Sequence, residues 1–286
     1  MKFLQTSFCI LVTACLMGFP YSAKASGWPQ PKGSAYLKLG QYLIISDQYF
    51  APSGDVIDIT TTGFYSTYLY AEYGLTDRLT VSAYMPFFVR STLNEVETTD
   101  GDLLNEGDEV NSFGDTDISL KYGLFQKNNW AVSASLTLGL PLGEPQGGNT
   151  ELLQTGDGEF NQLLAVEVSR SFQNGNAFVS ALVGINNRTE NFSDEFRYGV
   201  EGGVKVANKH WFILKINGIE SLQNGDAASI ANNGIFSNNL EYVAITPEFN
   251  FQVKDNWGVS LAVGGAPIAR RVLAAPSFNV GLFATL

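Results

Sequence analysis

The side chains that most often carry out catalysis are scarce in this sequence. His210 is the single histidine, and the Gly-x-Ser-x-Gly motif that marks a serine nucleophile elbow is missing. One histidine cannot build a multi-histidine metal site, and two cysteines cannot supply a cysteine zinc site. We therefore predict a protein that is not an enzyme and that holds no metal and no cofactor.

Carboxylates are the remaining candidates for chemistry. Asp115 and Asp117 stand two residues apart, the spacing that puts both side chains on one face of a strand, so their proximity alone is no sign of acid–base catalysis. Seven further carboxylates fall within 92–113, where Asp100-Gly101-Asp102 is not followed by the ligand spacing of an EF-hand. This run predicts a solvated outer loop, with divalent-cation bridging to lipopolysaccharide as the alternative.

The composition narrows the class of protein. Of 286 residues, 45% are hydrophobic, 13% aromatic and only 16% charged, against roughly 25% charged in an average soluble domain. The formal charge of −11 excludes a surface that neutralises nucleic-acid phosphates, so no nucleic-acid partner is expected. Few charges, many aromatic residues and 29 glycines favour β structure over helix.

The first 25 residues predict a cleaved signal peptide. A lysine at position 2 precedes a mostly apolar stretch, and Ala23-Lys24-Ala25 fits the small-x-small rule for signal peptidase. We therefore expect residues 1–25 to be removed and residues 26–286 to form the mature domain.

Alternation of apolar and polar residues predicts strands along the rest of the chain. The segment 130–141 shows it well, with Val132, Ala134 and Leu136 on one face and Ser133 and Ser135 on the other. Twelve segments of this kind occur at 34–45, 63–74, 79–91, 114–126, 130–141, 159–172, 177–188, 196–207, 210–220, 239–253, 257–268 and 276–286.

The connections between these segments alternate strictly between short and long. Five are tight polar turns, and the six longer ones lie near 46–62, 92–113, 142–158, 189–195, 221–238 and 269–275. An even number of strands, short periplasmic turns and longer outer loops are typical of bacterial outer-membrane barrels. Trp130 and Trp257 each follow a tight turn in phase with an apolar face, the position of a periplasmic aromatic belt.

These features predict an all-β fold, an up-and-down antiparallel transmembrane β-barrel of about twelve strands in a Gram-negative outer membrane. Its expected surroundings are outer-membrane lipid and lipopolysaccharide, and its terminal apolar strand is expected to be recognised by the barrel assembly machinery. A secreted β-sandwich or a soluble barrel is the alternative, although neither requires strands long enough to span a membrane.

If the apolar faces meet lipid, the opposite faces line a lumen. Both signs of charge occur there, together with several aromatic residues, which argues against a strongly ion-selective pore. Two interpretations remain open, a salt-bridged plug or a narrow path for small, partly apolar solutes. The charged residues predicted to line the path are Arg90, Asp115, Asp117, Lys121, Glu167, Arg197, Glu201, Lys205, Lys215 and Glu248.

Two motifs resemble those of a known family. The segment 113–122, Phe-Gly-Asp-Thr-Asp-Ile-Ser-Leu-Lys-Tyr, resembles a strand opening of the MetA-pathway of phenol degradation family of outer-membrane transporters. The segment 73–79, continuing to Met85-Pro86-Phe87, is similar to that family's first periplasmic hairpin. The resemblance implies an outer-membrane channel linked to uptake of aromatic or other hydrophobic compounds, without assigning solute-binding residues.

Together, the patterns predict a channel for passive transport of small solutes. From the residues alone we expect Asp115, Asp117 and Lys121 to form a polar cluster near the outer end of their strand. The alternative is a sealed structural or adhesive barrel that acts through its surface loops.

Overall fold

A computed structural model describes residues 27–97, 100–226 and 235–286; the expected signal peptide lies outside these residues. The chain forms twelve long antiparallel strands, each paired with its neighbours in sequence. They are β1 (Ala35–Phe50), β2 (Val56–Gly74), β3 (Leu79–Leu93), β4 (Asp108–Ser112 and Thr116–Lys127), β5 (Trp130–Leu140), β6 (Asn161–Phe172), β7 (Ala177–Arg188), β8 (Glu195–Val206), β9 (His210–Ser221), β10 (Glu241–Lys254), β11 (Trp257–Arg270) and β12 (Ser277–Thr285).

The first strand closes the sheet into a barrel. Tyr36 on β1 is paired with Glu72 on β2 on one side and with Thr285 on β12 on the other. Every long strand therefore has two partners, and the sheet has no open edge. The predicted fold class, an up-and-down antiparallel barrel of twelve strands, is confirmed. Within the described residues there is no helix long and apolar enough to cross a membrane.

The two faces of the wall have opposite character. On β5, Ser133 is almost fully buried inside the barrel, whereas the side chain of Leu136 on the outer face is 44% exposed. The same alternation on β11 exposes Leu261 and Val263 and buries Ser260. An apolar outer face, alternating with inward side chains such as these serines, is the pattern that a lipid environment requires.

We call the two ends of the barrel the turn end and the loop end. The turn end carries the five short connections at 75–78, 128–129, 173–176, 207–209 and 255–256. The remaining connections are at the loop end, and the predicted alternation holds with one correction. The first of them is only Ala51–Asp55, not 46–62, because β1 and β2 extend further and pair up to Phe50 and Val56.

The predicted acidic loop 92–113 is partly strand. Its middle forms a small hairpin between Val96–Glu97 and Leu103–Asn105. Its last part, Asp108–Ser112, pairs with β3 and is the first half of β4. A break at 113–115 then separates this extension from Thr116–Lys127.

A β-bulge in β3 overturns one predicted lumen residue. Tyr68 is paired with Pro86 and Thr67 with Phe88, so Phe87 is an extra residue on β3. A bulge of one residue reverses the inward and outward phase of everything beyond it. Val89 is consequently buried inside, and Arg90 lies on the outer face, where it pairs with Glu109. The expectation that Arg90 lines the lumen is therefore wrong.

Candidate functional site

A chamber lined on one side by aromatic rings extends from the turn end to the middle of the lumen, with a cavity of about 440 Å³. Tyr36 stacks on Phe283 at a centroid distance of 6.1 Å and meets Tyr70 edge-on, also at 6.1 Å. Tyr68 and Tyr84 form a second contact at 5.0 Å. These rings come from β1, β2, β3 and β12, whose inward positions alternate with apolar outward ones. We call this cavity, together with all the side chains that line it, the central chamber.

The hydroxyl groups of these tyrosines are fixed by polar partners. Tyr68 donates a hydrogen bond of 2.9 Å to Oδ1 of Asn279, and Tyr70 donates one to Glu72. The rings are therefore held in place with their apolar faces available to the cavity. Such a surface combines flat apolar area with a few oriented polar groups, as small-molecule sites commonly do.

Ion pairs line another part of the central chamber. Nζ of Lys215 is 2.7 Å from Oε2 of Glu248, and Nζ of Lys38 is 3.7 Å from Oε1 of the same carboxylate. Lys121 and Glu167 pair at 3.9 Å beside a second cavity of about 340 Å³. Both cavities share Tyr70, Tyr84 and Glu201, so they are adjoining parts of one space.

At the turn end, the segment 27–34 runs along the inside of the wall. A Cβ on Gly27 would meet Ser169 on β6, and one on Gly123 of β4 would meet Pro29. Gln30 then donates from its backbone to Thr80 at 2.8 Å and from its side chain to Glu72 at 2.6 Å. The segment thus follows β6 to β2 before it enters β1, and it narrows this opening of the lumen.

At the loop end, Arg188 joins three carboxylates. Its guanidinium is 2.6 Å from Glu159, 2.8 Å from Glu195 and 2.7 Å from Asp157, and its side chain is only 4% exposed. Arg188 and Glu195 belong to β7 and β8, whereas Asp157 and Glu159 belong to the connection 141–160. This cluster, which we call the Arg188 cluster, therefore fastens that connection to the barrel wall.

The same connection is anchored to the break in β4 through the carboxylate of Asp115. Oδ1 of Asp115 accepts a hydrogen bond from the backbone of Gly143 at 2.9 Å, and its Oδ2 accepts one from Asp157 at 2.7 Å. Burial raises the pKa of Asp157 to about 6; Arg188 opposes the rise, and the Asp115 carboxylate adds to it. Leu153 and Thr155 of this connection are almost fully buried, so 141–160 is packed against the barrel rather than extended into solvent.

A second connection also packs into the loop end. Phe236 lies edge-on to Phe64 at a centroid distance of 5.7 Å, and the Phe64 side chain is inside the barrel. Ser237 contacts the Tyr49 hydroxyl at 3.3 Å, and Asn238 accepts a hydrogen bond from the backbone of Ser193. Loop segments thus narrow the lumen at this end, as 27–34 does at the other.

Comparison with known families matches residues 43–270 to the family described as "Putative MetA-pathway of phenol degradation". The chain belongs to this family. The resemblance seen in the two sequence motifs is thereby confirmed. A search of curated proteins found no match to the sequence.

Three solved outer-membrane barrels have folds similar to that of this MetA-pathway family member. The COG4313 outer membrane channel from Pseudomonas putida F1 is similar with a TM-score of 0.60 and 13% identity, covering 93% of this chain and 100% of that one. A NanC porin is similar with a TM-score of 0.54 and 8% identity, covering 88% and 100%. A KdgM porin has a TM-score of 0.51 and 6% identity, covering 87% and 98%. At these identities the similarity shows a shared fold.

Most of the lumen residues predicted from the sequence do face the interior. Glu201 and Lys215 line the central chamber, Arg197 pairs with Glu195 at 2.7 Å, and the Lys205 ammonium is 5.3 Å from the Trp211 ring centroid. The predicted cluster of Asp115, Asp117 and Lys121 is divided, because Lys121 lies deeper and pairs with Glu167. Their part in solute passage remains a prediction.

Sequence reasoning missed the Arg188 cluster. Arg188 is in phase with the inward positions of β7, so the alternation could have identified it. Asp157 and Glu159 lie in an irregular connection, where no periodicity indicates direction. The described residues contain no group of three or more His, Cys, Asp or Glu side chains placed to hold a metal ion.

The two tryptophans predicted for an aromatic belt lie on the outer face at the turn end. Trp130 and Trp257 each start a strand directly after a tight turn, and the next residue in each case, Ala131 or Gly258, is buried inside. Their location agrees with the expected phase. Trp211, in contrast, points inward and contacts Phe178 at 5.6 Å.

Proposed function

We propose that this protein is an outer-membrane channel for passive transport of small solutes that carry an apolar, often aromatic, part. The central chamber is the observation that carries the proposal. Its aromatic side can stack on a flat apolar group, and its ion-paired side can exchange hydrogen bonds with polar groups of the same solute. Its size is within the range of small-molecule sites, roughly 300–1,000 Å³.

The membrane location is part of the proposal. A wall that exposes leucine, valine and phenylalanine along its outside and pairs every strand is suited to lipid. The turn end is assigned to the periplasm, because outer-membrane barrels place their short turns there. In the same way, the loop end is assigned to the cell surface.

A sealed barrel is the second candidate, favoured by a specific observation. Loop segments narrow one end of the lumen and residues 27–34 narrow the other. If these segments do not move, the barrel transports nothing and its function would be exerted by its surface loops.

Single-channel recording in planar bilayers distinguishes the two candidates. The mature protein is expected to give discrete current steps, and phenol is expected to block them more strongly than cyclohexanol, which has a similar size but no aromatic ring. Replacing Tyr36 by alanine removes its stacking with Phe283 and is expected to reduce the difference between the two solutes.

The matched control is Tyr122→Ala. Tyr122 is also a strand tyrosine, but it lies on the outer face with 47% of its surface exposed. It is expected to leave solute block unchanged. No current from protein that is folded and inserted would contradict the channel. Equal block by both solutes in the unmodified protein would leave a channel but contradict the aromatic preference.

A further inference from the structure

A row of basic and aromatic side chains crosses the outer face of the barrel at the turn end. Lys127 on β4 is paired with Trp130 on β5, which is paired with Arg170 on β6. All three face outward, since the neighbouring Ala131 and Ser169 are fully buried inside. Paired residues on adjacent strands lie about 5 Å apart, so the two basic residues are about 10 Å apart at the backbone with the indole between them.

Two aromatic rings hold the Arg170 guanidinium against the wall. Its central carbon is 4.9 Å from the centroid of Trp130 and 4.9 Å from that of Phe172. A guanidinium stacks well on aromatic faces and keeps its N–H groups free at the edges. The stacking therefore orients the charged group while its hydrogen-bonding groups stay available.

No ion pair among the described residues neutralises the charge of this row. Within residues 27–97, 100–226 and 235–286, neither Lys127 nor Arg170 takes part in an ion pair. The adjoining turns, 128–129 and 173–176, contain only asparagine, glutamine and glycine. This row is therefore a local excess of two positive charges in a chain of net charge −11, and it can attract an anionic group from outside the chain.

The surface next to this row is apolar. Towards the middle of the barrel, Phe125, Val132 and Val168 continue on the same outer face of the same three strands. The row is thus located where a cationic rim meets a hydrocarbon-facing wall, the position of a lipid headgroup above its acyl chains.

We infer that Lys127, Trp130 and Arg170 form a binding site for the phosphate group of a membrane phospholipid. The fork of Arg170 accommodates two phosphate oxygens, Lys127 reaches a third from the other side of Trp130, and an acyl chain lies along Phe125 and Val168. The inference rests on the proposed membrane location but not on channel activity.

The test is a titration of the refolded mature protein in non-ionic detergent with dioleoylphosphatidylglycerol, followed by native mass spectrometry. Arg170→Gln combined with Lys127→Gln is expected to weaken binding of the first lipid by about tenfold or more, the loss expected for hydrogen bonds between charged groups. Folding of each variant is checked by its heat-dependent mobility in gel electrophoresis.

Lys254→Gln is the matched control. Lys254 is paired with Trp257 as Lys127 is with Trp130, but the next residue across the sheet is Ala284 instead of an arginine. This control is expected to retain the affinity of the unmodified protein. An equal loss in Lys254→Gln, or no loss in the double variant, would overturn the inference.

A measurement on the unmodified protein keeps the inference testable if the double variant fails to fold. Dioleoylglycerol has the same acyl chains but lacks phosphate, and it is expected to bind far less than dioleoylphosphatidylglycerol. Equal retention of both lipids would show that acyl chains alone are bound and would reject a phosphate site. Neither experiment measures current, so the results of both are independent of whether the barrel conducts.

Discussion

Arg188 is the residue on which the loop end depends most. Its guanidinium makes ion pairs with three carboxylates, two of which, Glu159 and Glu195, are almost completely buried. Removing one member of a buried ion pair leaves uncompensated charge in a poorly hydrated site, which costs about 3–5 kcal/mol. We expect Arg188→Gln to release the connection 141–160, detectable as faster cleavage of that segment by added protease in the folded barrel.

Arg90→Gln is the control for that substitution. Arg90 also pairs with a carboxylate, Glu109, but both side chains are about half exposed on the outer wall. Exposed pairs contribute about 0–1 kcal/mol. Protease sensitivity of 141–160 should therefore stay unchanged, and comparable cleavage in the two variants would contradict the anchoring role of Arg188.

Protonation of Asp157 is expected to strengthen the docking of the same connection. The pKa of Asp157 is raised to about 6, because the buried site beside Asp115 disfavours its charged form. For an acid with a raised pKa in the docked state, docking is most favourable at low pH and weakens as pH rises through 6. Cleavage within 141–160 should consequently be slower at pH 5 than at pH 7.5.

The groups facing Asp157 define how this pH dependence is checked. Asp157 is surrounded by Asp115, Glu159, Glu195 and Arg188. The variant Asp157→Asn removes the Asp157 carboxylate and leaves the other three acids in place. This variant should cleave at similar rates at both pH values. A pH dependence of the same size in Asp157→Asn would assign the titration to a different group.

These residues show what the sequence can and cannot predict at this scale. Glu248 and Lys215 face the interior as predicted, because the alternation around them is unbroken, with β9 and β10 pairing without a register shift from Trp211 to Ile219. Arg90 was misplaced, since a single extra residue at Phe87 reverses the phase beyond it. Two of the three partners of Arg188, Asp157 and Glu159, could not be predicted, because they lie in a connection without periodicity.

The segment 27–34 is the element with the greatest expected effect on conduction. A Cβ at Gly27 would meet the Ser169 side chain, so Gly27→Cys with Ser169→Cys places two thiols close enough to be joined after a small adjustment. The only native cysteines, Cys9 and Cys15, lie in the expected signal peptide. We expect the oxidised variant to show a smaller single-channel conductance than the reduced one, because the segment is then fixed inside the opening.

Gly27→Cys alone controls for the added side chain and should respond to neither oxidant nor reductant. Deleting residues 27–30 should have the opposite effect to the disulfide and increase conductance. If the locked and deleted proteins conduct equally, this segment does not control the opening.

The elements themselves were largely predictable. Tight turns such as Lys127-Asn128-Asn129 marked one end of the strands, where Asn128 and Asn129 adopt the left-handed backbone that asparagine tolerates. The other end was less well defined: β1 and β2 extend to Phe50 and Val56, beyond the apolar segments that lipid contact imposes. Outside the lipid-facing part, the strands stay paired through their backbones although their side chains do not alternate. The sequence pattern therefore does not reveal where these strands end.

For the whole molecule, the distribution of charge along the lumen predicts a weak preference for cations. At the loop end, five carboxylates face two arginines, whereas deeper in the lumen lysines and glutamates are paired. The loop-end groups are Asp115, Asp117, Asp157, Glu159, Glu195, Arg188 and Arg197. An excess of negative charge at one mouth raises the local concentration of cations there without blocking anions deeper in the lumen.

The reversal potential in a KCl gradient measures this preference and should favour potassium over chloride. Asp117→Asn removes a lumen carboxylate that takes part in none of the ion pairs of the described residues, and it should move the reversal potential towards zero. Glu109→Gln removes the same charge from the outer wall and should leave the reversal potential unchanged.

The preference for cations should also decrease between 0.1 M and 1 M KCl, because the Debye length falls from about 10 Å to about 3 Å and the charges at the loop end are screened. Selectivity that persists in 1 M KCl would instead indicate a narrow constriction with one sign of charge, which the paired lysines and glutamates of the central chamber do not provide.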